Sequence, residues 1–227
     1  KMETEDPIET EATEVLGEQS AKTLDELCRD IVIAGTTIQY ADGAANRVAL
    51  VVGNKMDTAE VRKAVRTLKG SNAKKITSMV NAQVGYATSP VDACYIGIVH
   101  PNGAYDLKGE TAWVPIEKYA GSLKNGPMPG EIGKLDEVRF IETTQAKVYT
   151  GEGAAGIDVY GCLILGANAY GTTRINGEAL KTIRKQLGSG GSADPLDQRS
   201  TIGWKGTFVS KILDQTAMIR IEHGATA

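Results

Sequence analysis

The sequence predicts an α+β fold. Three observations carry that expectation: a long amphipathic helix near the start, a period-two strand pattern near the end, and a stretch of mixed texture between them. The elements near the two termini group into one unit, and the mixed stretch is an insertion in it.

The helix is expected over about 6–34. Apolar residues recur at Ile8, Ala12, Val15, Leu16, Leu24, Leu27, Cys28 and Ile31, in steps that place them on one stripe. Asp6 is the expected cap, Pro7 the first-turn residue and Gly35 the stop. Glu9, Glu11 and Glu14 lie where the helix dipole favours negative charge. At 1.5 Å per residue such a helix is about 40 Å long, more than a small domain needs, and it has the dimensions of a spine bracing a flat subunit.

Composition narrows the function classes. The 227 residues are enough for one large domain or two small ones, and at 41% hydrophobic and 23% charged they can build a core without metals or disulfides. Aromatics are only 5%, against an aromatic-lined cleft, and the net charge of −3 is not the footprint of a sequence-specific nucleic-acid binder. Cys28, Cys94 and Cys162 are widely spaced and form no CxxC pair, so all three are expected to be reduced, buried and in a reducing compartment. No apolar run has the length of a membrane span, and no signal peptide is seen. The chain begins at Lys1, which fits a processed product or a fragment.

After the helix, Ile38 and Tyr40 begin an extended stretch, Asp42-Gly43 marks a turn, and Val48 to Val52 is expected as a strand. A helix capped by Asp57 or Thr58 is expected to Leu68, with Val61, Val65 and Leu68 on its buried face. Next come a buried strand from Tyr95 to Val99, a break at His100-Pro101 and a short helix from Asn102 to Leu107. Ser122 to Gly133 is expected as a surface loop, followed by strands at Val138–Ile141, Ala146–Tyr149 and Ile157–Leu165. Gly188 to Ser192 fits a short linker or an ordered glycine turn. Ile202, Trp204, Phe208 and Ile212 alternate with polar residues, the signature of a half-buried strand, expected to pack on the stripe of Val15, Leu16, Leu24 and Leu27. On that expectation Trp204 matters more to stability than Trp113. Asp214-Gln215 is a turn, and Met218, Ile219 and Ile221 a last strand.

Two segments imitate nucleotide sites. Gly151-Glu-Gly-Ala-Ala-Gly156 matches GxGxxG, yet it precedes a β-prone run rather than the helix whose N-terminus would hold a pyrophosphate, so a hairpin tip is expected. Asn54-Lys55-Met56-Asp57 matches the guanine motif NKxD, and Ser20-Ala21-Lys22 matches SAK. SAK precedes NKxD here, and no phosphate loop exists, since Gly133-Lys134 is followed by Leu135. His100 and His223 lack partners at metal-ligand spacing, and the acids from Glu3 to Glu14 lack the alternation of a calcium loop. Pairing of His100 with Cys94, or with a serine, stays open, since triad members are distant in sequence.

Blocks through most of the chain resemble one family. They are Leu16-Gly17-Glu18-Gln19, Thr23-Leu24-Asp25, Ala59 to Leu68, Gly97-Ile-Val-His100-Pro101, Tyr105-Asp106-Leu107, Gly130 to Leu135, Val138-Arg-Phe140, Glu142-Thr143, Ala193 to Leu196, Gln198-Arg199 and Gly203-Trp204-Lys205. In this order they resemble the C-terminal two-thirds of the major capsid protein of the coliphage N-four type. The resemblance implies the Hong Kong 97-like capsid fold, with a P-domain at 1–80 and 181–227 holding the spine helix, and an A-domain at 81–180. It implies a structural coat subunit of a tailed phage or prophage that packs with copies of itself into an icosahedral virion shell. Scaffold, portal or decoration proteins are implied partners. DNA is enclosed without sequence-specific contacts, and there is no membrane. The protein would be made in the host cytoplasm, with no catalytic, cofactor or metal residues. The family's N-terminal arm and extended loop are absent, so a soluble monomer or small oligomer is expected of this chain, with shells restored by the upstream sequence. The rival reading is a nucleotide-binding enzyme using Asn54 to Asp57 or Gly151 to Gly156.

Overall fold

The computed structural model describes residues 8–77, 92–118, 127–173, 180–186, 188–189, 196 and 200–226. The expected cap at Asp6 and Pro7, most of the expected linker at Gly188 to Ser192 and the first part, 122–126, of the loop expected at Ser122 to Gly133 lie outside them.

The first helix, α1, runs Ile8–Ile33 and ends as expected before Gly35, whose N–H donates to the Val32 carbonyl. Its stripe is only partly covered: Ala12, Leu16, Leu24 and Cys28 are half-buried, and full burial is reached at Ser20 and, at the end of the helix, at Val32 and Ile33. Val15 is 66% exposed and Leu27 50%. Strand β1 (Ile38–Tyr40) leads into a tight turn in which Asp42 and Gly43 both have positive φ. The strand expected at Val48 to Val52 is absent, and a 3-10 turn stands at Arg47–Ala49. Asn46 Oδ1 accepts from the Ala49 N–H and Asn54 Oδ1 from the Val51 N–H, so two asparagine side chains take the backbone donors that a ladder would use. Leu50 alone is driven into the core; Val48, Val51 and Val52 are exposed.

Helix α2 (Thr58–Gly70) is capped by Asp57, which accepts from the Glu60 N–H, and it buries Val61, Ala64, Val65 and Leu68. Strand β2 (Tyr95–Val99) is followed at once by α3 (Pro101–Lys108), with His100 as cap and Pro101 in the first turn. Then come β3 (Trp113–Pro115), β4 (Glu131–Leu135), β5 (Val138–Glu142), β6 (Val148–Tyr149) and β7 (Val159–Leu165). The end of the expected loop, Glu131 to Gly133, is therefore strand: β4 pairs with β5, and Glu131 is held against Arg139.

The expected strand from Ile202 to Ile212 is two strands. Strands β8 (Tyr170–Thr173), β9 (Leu180–Lys185), β10 (Thr201–Gly206) and β11 (Val209–Ile212) form two-stranded sheets, β9 with β10 and β8 with β11. Every residue of β9 is exposed, and Trp204 is only half-buried. The last strand, β12 (Met218–His223), is buried along its whole length.

The main sheet runs β1-β12-β7-β2-β5-β4-β3, with β6 on β7. Pairs β1–β12 and β2–β5 are parallel and the others antiparallel. Alternation along β12 sends Ile219 and Ile221 into the apolar core with α2 and α3, and Arg220 and Glu222 to the opposite face.

The chain divides into two compact units, Lys1–Cys28 with Thr172–Lys211, and Arg29–Gly171 with Ile212–Ala227. These do not coincide with boundaries at 80 and 180. Strand β12 pairs with β7 along its length, which draws β1, α2 and β12 into the unit of the main sheet.

Both tryptophans are half-buried, and what they pack against reverses their expected weight. Trp113 packs against the main core, its ring 6.1 Å from that of Phe140, whereas Trp204 lies on an exposed two-stranded sheet. Trp113→Ala is expected to cost about 2–3 kcal/mol and Trp204→Ala about 1 or less, read as shifts in the urea midpoint. Equal shifts would contradict this placement.

Candidate functional site

The NKxD imitation is spent on structure. Asn54 accepts from the Val51 N–H and donates to Asp42, Met56 is buried, and Asp57 caps α2. Beside it runs a groove of about 330 Å3 lined by Asp42, Lys55, Met56, Asp57, Asp106 and Glu110. One ammonium among four carboxylates repels a polyphosphate. All four carboxylates are already engaged: Asp42 and Asp57 as above, Glu110 by the Thr58 hydroxyl at 2.5 Å, and Asp106 by the Thr226 N–H at 3.0 Å.

The glycine-rich segment is a turn, as expected. Gly151 and Gly156 have positive φ, Gly151 N–H donates to Asp158, and the chain continues into β7 rather than into a helix. Ser20 lies inside α1 and donates to the Gly17 carbonyl, and Lys134 is in β4.

His100 and Cys94 flank the two ends of β2, about 20 Å apart at the rise of a strand, so they form no dyad. The Cys94 Sγ donates to the Asp92 carbonyl, and burial pushes its pKa up. Burial also raises that of Cys162, which is fully enclosed; Cys28, expected to be buried, is only half-buried beside Ser210. All three are free thiols. Among the described residues no group of His, Cys, Asp and Glu is placed to hold a metal, and no helix is long and apolar enough to cross a membrane.

His223 is fully buried. Its ring sits over Gly103 and lies 6.1 Å from the ring of Tyr160, which stacks on His100 at 4.9 Å. Nδ1 is 2.5 Å from the Gly224 carbonyl and donates to it, leaving Nε2 without a partner among the described residues. Burial lowers its pKa from 6.5 to about 4. The unfolded chain therefore takes up this proton as pH falls past 6.5, and the folded chain only near 4. Stability is full above 6.5 and declines between those values, by roughly 3 kcal/mol, then levels off for this group. His223→Gln is expected to flatten that part of the profile, measured by urea unfolding at pH 7.5 and 4.5. An unchanged slope would assign the loss to other groups.

Sequence reasoning missed the buried ion pairs. Arg47 donates through Nε and Nη2 to both oxygens of Glu222, each at 2.7 Å, and its guanidinium lies 3.5 Å from the Tyr149 ring centroid. The Arg220 Nε is 2.8 Å from the same carboxylate, and Arg220 donates to the Ile33 carbonyl. The bond to Glu222 is the first cause of a raised Arg47 pKa. Arg139 grips Glu131 in the same two-point way at 2.7 and 2.5 Å. A signal did exist: Arg220 and Glu222 stand two apart in an apolar strand and so share a face. Arg47 thereby ties its turn to β12, and Arg139 with Glu131 joins β5 to β4, which is a structural role.

Among the described residues, exposed apolar surface lies on α1, at Val15 and Leu27, and on the β9–β10 ribbon, at Leu180 and Ile183. No family model matches the chain, and no curated protein does. Solved structures do match. The capsid of the cyanophage P-SCSP1u covers the whole chain and 68% of its own length, with a TM-score of 0.60 at 13% identity. The capsid of Ralstonia phage GP4 covers 84% of this chain and 53% of its own, with a TM-score of 0.55 at 15% identity. The holo-SrpI encapsulin complex of Synechococcus elongatus covers the whole chain and 69% of its own, with a TM-score of 0.54 at 10% identity. The chain thus spans between 53% and 69% of the length of these structures, and the likeness is one of fold.

Proposed function

We propose that this chain, which has the Hong Kong 97-like fold of tailed-phage capsid proteins, is a coat subunit that packs with copies of itself into an icosahedral shell. The observation that carries the proposal is the match of fold over the whole chain to shell proteins of phages and to an encapsulin. The surface supports it. Val15, Leu27 and Ile31 are exposed along one helix, and Leu180 and Ile183 along an open ribbon, as in a subunit whose cover is supplied by neighbours. Repeated heterologous contacts of this kind close into a shell when the geometry allows.

On this reading the axial domain is the unit of the main sheet, Arg29–Gly171 with Ile212–Ala227, which adds β1, α2 and β12 to most of 81–180. The peripheral domain holds most of α1 and the β9–β10 ribbon. The role is structural and non-catalytic. The shell belongs to the virion and is made in the host cytoplasm; it encloses DNA without base-specific contacts, with scaffold, portal or decoration proteins as further partners.

The test is negative-stain microscopy and light scattering of the protein made from its complete reading frame, beside a GTP–magnesium titration by calorimetry. Uniform closed shells and no nucleotide heat are expected. Micromolar GTP binding lost in Asp57→Ala, with no particles, would overturn the proposal in favour of a nucleotide-binding enzyme.

A further inference from the structure

We propose that α1 of one copy docks on α2 of a second copy, with Glu11, Glu14, Val15 and Glu18 set against Ala59, Arg62, Lys63 and Arg66. This rests on the coat-subunit reading and names one contact within it. Each set falls at i, i+3, i+4 and i+7, so each forms a single patch about 10 Å long on its helix. The first patch is three carboxylates around a valine that is 66% exposed, and the second is three cations beside an exposed alanine. Among the described residues none of the three glutamates forms an ion pair, and neither do Arg62 and Arg66. Lys63 reaches only Glu60 on its own helix, at 3.6 Å.

The surface around α2 is open to a neighbour. Ala59, Arg62, Lys63 and Arg66 line an open groove of about 340 Å3. A second groove of similar size runs from Lys63, Arg66 and Thr67 to Thr37 and to Ile38 and Tyr40 of β1. Among the described residues β1 is the end strand of the main sheet, with no strand on its outer side, and a helix laid across it covers that edge. Val15 and the methylene stems of the cations supply the apolar part of the contact, and the six charges set its register. A phosphate backbone would meet the cations but not the adjoining apolar edge at Ile38, which favours a second copy over a nucleic acid.

Two charge-reversed chains test the contact, Glu14→Lys/Glu18→Lys and Arg62→Glu/Arg66→Glu, by sedimentation velocity and negative-stain microscopy. Far-UV circular dichroism and urea midpoints report that each folds; Glu18→Gln and Arg66→Gln serve in place of a reversal that does not. Each reversed chain alone is expected to self-associate at least tenfold more weakly than wild type. The neutral variants shift in the same direction by less. An equimolar mixture of the two reversed chains is expected to recover, because each then offers the other an opposite patch. A mixture no better than its parts overturns the proposal. So does a loss of retention on duplex DNA with self-association unchanged, which would assign the cations to nucleic acid. Wild-type shells that persist in both reversed chains remove this contact and leave the coat reading standing. A wild-type chain that stays monomeric at millimolar concentration removes both.

Discussion

Glu222→Ala is expected to destabilise the fold by about 3–5 kcal/mol, the usual cost of removing one partner from a buried ion pair. The Glu222 side chain is fully enclosed, Arg220 is 9% exposed and Arg47 24%. Without the carboxylate two guanidinium groups are left close together with little water between them, and Arg47 loses the two hydrogen bonds that hold its loop on the sheet. Glu152 is the internal control. It meets the same Arg47 at 2.5 Å, but its side chain is 52% exposed, and Glu152→Ala is expected to cost less than about 1 kcal/mol. Urea unfolding followed by circular dichroism compares the two. Similar losses would mean that Arg47 acts at the surface and that the buried pair adds nothing.

Phe140→Ala is expected to cost a similar amount, about 3–5 kcal/mol, through the cavity that it leaves. Phe140 is fully buried in β5, opposite Gly97 of β2 and Gly133 of β4. Its ring occupies the space where a side chain at Gly97 would sit: a Cβ built there lies 2.6 Å from the ring. Trp113 closes the same row over Gly133. Gly97→Ala alone is expected to destabilise, but in the Phe140→Ala background the added methyl enters the vacated space. The double variant should therefore lose less than the two single losses combined, a non-additivity read in the same unfolding experiment. Strict additivity would show that the ring is not what keeps residue 97 a glycine.

How much of this was legible beforehand depends on whether local chemistry sufficed. Helix α2 was, because Asp57 caps it and its apolar residues recur at helical spacing. So were β2 and α3, separated by His100-Pro101, and the buried strand β7. The failure of both nucleotide imitations was legible too. A glycine motif needs a helix after it and NKxD needs a phosphate loop, and neither requirement depends on distant packing. The order of blocks along the chain also anticipated the capsid fold.

The tertiary structure decided the rest. Val48 to Val52 has the composition of a strand, but strand residues need a partner strand, and here the asparagines at 46 and 54 took the donors first. Trp113 and Trp204 look equally apolar in sequence; only the pairing of β3 with β4 sets Trp113 over the core, while β10 pairs with β9 alone. The glycines at 97 and 133 carry no local signal, since what they accommodate is a phenylalanine brought beside them by strand register. Arg47 and Glu222 are far apart in the chain, and a buried charge is tolerable only where the fold delivers its counter-charge. Local patterns, summed over neighbouring residues, therefore set which segments became helices and most of the strands. Which of their side chains lie in the dark, and against what, was set by contacts between distant segments that only register and packing create.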